Sequence, residues 1–97
     1  MAEYVRVADF EADDAAIDAF VEAIKSEAGP PEGVPAKRIN VLTNRQDGKL
    51  RVVIFFESEE DLRQGSATLD TMSPPEGAQI RRVGVETFEV LLQRQMG

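Results

Sequence analysis

Five basic side chains, Lys37, Arg38, Arg45, Lys49 and Arg51, crowd the stretch from position 37 to position 51 against a single acid, Asp47. This is a local balance of +4 in a chain whose formal net charge is −7. Asn40 and Asn44 stand among them. A guanidinium holds a carboxylate or phenolate through paired N–H donors, and an amide beside it can both donate and accept. Arg51 with Asn44 is therefore a candidate polar end of a ligand site, and Asn40 beside Phe55 is another candidate. The same residues have plainer uses. Lysine and arginine keep an exposed hairpin soluble, Asn44 and Arg51 can bond across a turn, and Asn40 can be a satisfied buried amide.

Other chemistry is excluded by what the chain lacks. It has no cysteine, so disulfides, thiolate nucleophiles and zinc thiolate sites are absent. It has no histidine, which removes the commonest general base, the commonest transition-metal ligand and the usual haem ligand. A serine triad of the usual kind cannot be built, and no cofactor is expected. The one phenol, Tyr4, is a candidate proton donor, or an interface aromatic with its hydroxyl at the rim. Glu86 and Glu89 fall on opposite faces of one strand, so one of them is expected to point inward, as a base or as the partner of Arg6 or Arg51. The acidic run Ser58-Glu59-Glu60-Asp61 resembles a metal site on paper, but helix capping explains it and no metal is expected.

The acidic charge argues against nucleic acid and against anionic membranes, because both bind through cations. No apolar run approaches the roughly 20 residues that span a bilayer. The N-terminal MAEYVRVADF lacks a basic start followed by an apolar block. A cytoplasmic setting is expected. The length of 97 residues and a hydrophobic content of 42% suit one globular domain, residues 1–97.

These side chains must be positioned by a small set of elements. YVRVADF alternates and reads as a strand. In EADDAAIDAFVEAIKSEAG, Ile17, Phe20, Val21 and Ile24 make one helical stripe. Asp13 or Asp14 caps that helix, and Gly29-Pro30-Pro31 stops it. RINVLTNRQDGKLRVVIFFES follows, with Asp47-Gly48 as a two-residue hairpin turn. That turn sets Gln46 against Lys49, Asn44 against Arg51, Leu42 against Val53 and Asn40 against Phe55. SEEDLRQGSATLDTM is a second helix, with Ser58 and Asp61 as a capping box and Leu62, Leu69 and Met72 as its stripe. Gly65 and Ser66 are small enough for close approach to the sheet. SPPEG breaks the chain, and IRRVGVETFEVLLQR is a long last strand with no clean polar side.

The order β-α-β-β-α-β gives an α+β fold of the ferredoxin-like kind, a four-stranded antiparallel sheet with both helices on one face. The other face is left open. On this register it carries Tyr4, Arg6 and Ala8 with Asn40, Leu42, Asn44, Arg51, Val53 and Phe55. It is too apolar to be simply solvated and too polar for an ordinary core, which marks an interface or a ligand surface.

This order, the junction FFESEEDL and the closing strand VGVETFEVLLQR resemble the dimeric α+β barrel superfamily, over roughly Glu3 to Arg94. The nearest likeness is to proteins of the antibiotic biosynthesis monooxygenase type and the stress-responsive barrel type. The resemblance implies a homodimer through the open sheet face, with a ligand cavity in each protomer. On the reading of the open face, the ligand is expected to be a small organic molecule, anionic or aromatic, contacted by Tyr4, Arg6, Asn40, Asn44, Arg51 and Phe55. Cofactor-independent monooxygenases of this type hold polycyclic aromatics with asparagine, tryptophan, tyrosine and arginine. Asn40, Asn44, Arg51 and Tyr4 match, and tryptophan is missing. The haem-degrading relatives need a histidine, also missing. The leading expectation is a small-molecule-binding homodimer with no assigned reaction. A cofactor-independent monooxygenase or isomerase and a non-enzymatic interaction module are the alternatives.

Overall fold

A computed structural model describes residues 3–72 and 79–97. In order along the chain are β1 (Glu3–Ala12), α1 (Asp14–Ser26), β2 (Arg38–Asn44), a single 3-10 turn (Arg45–Asp47), β3 (Lys49–Phe56), α2 (Glu59–Asp70) and β4 (Ile80–Val90). The sheet order is β2-β3-β1-β4, antiparallel at every pairing. This is the ferredoxin-like layout. The expected break at Ser73–Gly77 lies outside the described residues.

The local signals that start the helices act as expected. Asp13 caps α1 by accepting from the Ala16 N–H at 2.8 Å, and Ser58 caps α2 by accepting from the Asp61 N–H at 3.0 Å. α1 ends at Ser26, three residues before Gly29. α2 ends at Asp70, so Met72 is outside the helix and exposed rather than part of its stripe. Leu62, Gly65 and Leu69 take that role. A Cβ on Gly65 would stand 2.5 Å from the Phe56 ring, which explains why the helix carries no side chain there.

The core lies between the helices and one sheet face. Val34, Val52, Ile54, Phe56 and Leu62 form one buried cluster, and Ala12, Ile17 and Leu50 form another. Phe10 and Phe20 join them, with ring centroids 6.4 Å apart. Burying a side chain such as Phe56 or Leu50 contributes roughly 1.5–3 kcal/mol.

Two expectations about register need correction. Asp47-Gly48 is not a two-residue turn. The chain makes a 3-10 turn over Arg45–Asp47, closed by Gly48 in the left-handed region at φ 65°. Asn44 stabilises it by accepting from the Asp47 N–H at 3.3 Å. The pairs are therefore Asn44 with Lys49, Leu42 with Arg51, Asn40 with Val53 and Arg38 with Phe55. The shift is two residues, an even number, so every hairpin side chain keeps its expected face.

The second correction concerns β1. Tyr4, Arg6 and Ala8 pair with Phe56, Ile54 and Val52 and face the helices. Val5, Val7 and Asp9 face the open side, paired with Phe55, Val53 and Arg51. Both faces of β1 are apolar enough to be buried. Val5 is only 7% exposed although no helix covers it, because Phe55 and Phe88 flank it on β3 and β4.

β4 ends at Val90, short of the expected Arg94, and Leu91 and Leu92 beyond it are exposed. Glu86, Phe88 and Val90 share the open face with Val7, Val5 and Glu3, while Thr87 and Glu89 lie on the helix side with Arg6 and Tyr4. From Val83 to Glu89 every residue of β4 is exposed, Val85 and Phe88 included.

Candidate functional site

The open face has an ion pair at its hairpin end. Asp9 and Arg51 are cross-strand partners on β1 and β3. Arg51 donates from Nε to Asp9 Oδ1 at 2.6 Å and from Nη2 to Oδ2 at 3.2 Å. Two parallel bonds fix the guanidinium plane. Hydrogen bonding and charge from Asp9, with the charge of Glu86 nearby, hold the Arg51 guanidinium protonated above its ordinary range. Among the described residues Arg51 makes no other side-chain hydrogen bond, which leaves its remaining N–H donors for a ligand.

A trough of about 440 Å³ opens over this pair, and Asp9, Leu42, Asn44, Lys49, Arg51 and Val83 are among the residues that line it. All four strands contribute. Leu42 and Val83 supply apolar walls, both about half exposed. Asn44 is fixed by the turn that it caps, and its Nδ2 donates to Asp47 at 3.1 Å.

The far end of the same face is apolar and charge-rimmed. Val5, Val53, Phe55 and Phe88 lie together across β1, β3 and β4. The Arg38 guanidinium sits 4.2 Å from the centre of the Phe55 ring. Glu3 meets Lys37 at 2.5 Å and Arg38 at 3.2 Å. The hydrogen bond from Lys37 leads in drawing its carboxyl below the ordinary value, with Arg38 adding to the effect.

Of the six residues singled out from sequence, four share the open face. Arg51 and Asn44 line the trough, Asn40 stands exposed opposite Val53, and Phe55 lies under Arg38. Tyr4 and Arg6 are on the other side of the sheet. Tyr4 packs against the buried cluster under α2, and Arg6, 3% exposed, bonds Asp70. Asp9 was missed. The period-two pattern of β1 held the signal, but the choice of face did not come from the strand itself.

The basic stretch is mostly neutralised within the chain. Lys37 and Arg38 meet Glu3, Arg51 meets Asp9, and Arg45 ties the hairpin tip to α1 through Asp14 at 3.1 Å and Asp18 at 2.5 Å. Lys49, in the trough, has no ion-pair partner among the described residues. In the acidic run, Ser58 caps α2 and Glu59 pairs with Arg63 one turn on. Among the described residues no group of three or more acids could hold a metal ion. No described helix is long and apolar enough to cross a membrane.

The arrangement can bind a molecule that offers an anionic or hydrogen-bonding group to Arg51, Lys49 and Asn44 and an apolar body to Leu42 and Val83. Comparison with family models, with curated proteins and with solved structures gives no match.

Proposed function

We propose that the protein is a homodimer of the dimeric α+β barrel type that binds a small organic molecule, anionic or aromatic, on the open sheet face. The observation that carries this reading is the trough over Asp9 and Arg51. Its volume of about 440 Å³ lies within the range of small-molecule sites. Its lining combines apolar walls with a few fixed polar groups, which is the usual composition of such sites. Arg51 is held in one orientation by Asp9 and keeps donors for a ligand.

The dimer is supported by the rest of the face. Leu42 is 52% exposed and Phe88 48% exposed, and both project from the side that no helix covers. Exposed apolar side chains at both ends of one face favour a covering partner, and a second copy would close the trough. No reaction is assigned, since Tyr4 lies across the sheet from the trough.

Light scattering tests the assembly, and calorimetric screening of small carboxylates and phenolates tests the site. A mass near twice 10.7 kDa with saturable binding lost in Arg51→Ala is the expected result. A monomer sinks the dimer. Binding that survives Arg51→Ala sinks the site.

A further inference from the structure

Arg6 is the only charged side chain in the core of the described residues, and it is only half used. Its side chain is 4% exposed. Nη2 donates to Asp70 Oδ1 at 2.8 Å, while the neighbouring Nε is buried without a partner. Arg51 shows the complete arrangement in the same molecule, with Nε and Nη2 bonded to both oxygens of Asp9. Asp70 occupies one of the two donors on the corresponding edge of Arg6. A buried N–H left unpaired is costly and rare.

A second orphan among the described residues lies on α2, the helix that carries Asp70. Ser66 Oγ is buried and has no partner. Ser66 precedes Asp70 by four residues in α2, so the two lie one above the other on the same helix face. Among the described residues, these two atoms are the buried side-chain polar atoms without a bond.

Asp70 is also a poor permanent counter-ion. It is in the last turn of α2, where the helix dipole disfavours an anion, and that turn has no basic residue. Its own side chain is 61% exposed, so the place it occupies opens onto solvent.

We propose that Arg6 anchors a second binding site, specific for a small carboxylate, in which the ligand displaces Asp70. The incoming carboxylate bonds Nε and Nη2 together, as Asp9 does on Arg51, and Ser66 Oγ donates a further bond to it. Asp70 swings into water as the ligand enters. The site is on the helix side of the sheet, across from the trough, and does not depend on the function proposed for the open face.

The test is a titration with sodium acetate, against sodium chloride at equal ionic strength, read by the arginine Nε–Hε signals in nitrogen-edited NMR. The Arg6 signal is identified as the one missing in Arg6→Lys. A saturable shift of that signal with acetate and not with chloride is expected, and it persists in Arg51→Lys. Asp70→Asn removes the competing carboxylate and tightens acetate by roughly tenfold. Ser66→Ala weakens it. An Arg6 signal that responds to acetate no more than to chloride, in the native chain and in Asp70→Asn alike, overturns the proposal. Should Asp70→Asn fail to fold, the native chain and Ser66→Ala decide: equal affinity in the two, or no acetate response in either, overturns it.

Discussion

Asp9 and Arg51 face each other across β1 and β3 and are joined by two hydrogen bonds of 2.6 and 3.2 Å. The pair lies in the open, with the Arg51 side chain 56% exposed. Solvent screens such a pair, so it orients Arg51 more than it stabilises the fold. Asp9→Asn should lower unfolding free energy only slightly. It should also strengthen binding of anionic ligands in the trough, since Arg51 loses its internal counter-charge. Urea unfolding and calorimetry check the two halves. A large loss of stability would show that the pair is structural.

Phe88 is placed to test the dimer without touching the trough. It stands opposite Val5 at the other end of the face and is not among the residues lining the cavity. Phe88→Lys should leave the monomer folded and shift the mass from dimer to monomer in light scattering. An unchanged mass would place any interface elsewhere.

Glu3 gives the fold an acid-sensitive contact. Its folded-state pKa is drawn below the ordinary 4.5, first by the Lys37 hydrogen bond. A carboxyl shifted down contributes stability above its unfolded pKa, and that stability is lost as pH falls through the folded value. Urea midpoints should therefore decline as pH falls from above 4.5 to below it. Glu3→Gln should flatten part of this acid limb and change little near neutrality in slope. An identical acid limb in the variant would show that the Lys37 and Arg38 contacts add nothing.

Gly65 tests the seat of α2. A methyl group there would meet the fully buried Phe56 ring at 2.5 Å. Gly65→Ala gains helix propensity of roughly 1 kcal/mol, but overpacking of this kind costs about 1–3 kcal/mol. A net destabilisation is expected in chemical unfolding. A more stable variant would mean that Phe56 moves aside freely.

Gly48 tests the corrected turn. At φ 65° it holds a backbone conformation that costs a residue with a Cβ roughly 1–2 kcal/mol. Gly48→Ala should lose about that much, and Gly48→Asn less, because asparagine tolerates the left-handed region. Equal losses would argue against that conformation.

The chain's own residues determined the order of elements and the local stops and starts. Asp13 and Ser58 cap helices because a side-chain oxygen reaches a backbone N–H three residues on, a purely local matter. The hairpin faces were also legible, because alternation is fixed by covalent geometry and survived a register error of two residues. The absence of histidine and cysteine bounded the chemistry in the same local way. Three things needed the tertiary structure. β1 is apolar on both faces, so only its pairing with β3 and the landing side of the helices turned Val5, Val7 and Asp9 outward and Tyr4 and Arg6 inward. The length of the hairpin loop depended on Asn44 bonding the Asp47 N–H, a contact that competes with the shorter turn. The Asp9–Arg51 and Arg6–Asp70 pairs join residues 42 and 64 positions apart. Contacts at that distance along the chain are set by long-range packing, which no periodicity within a strand can encode.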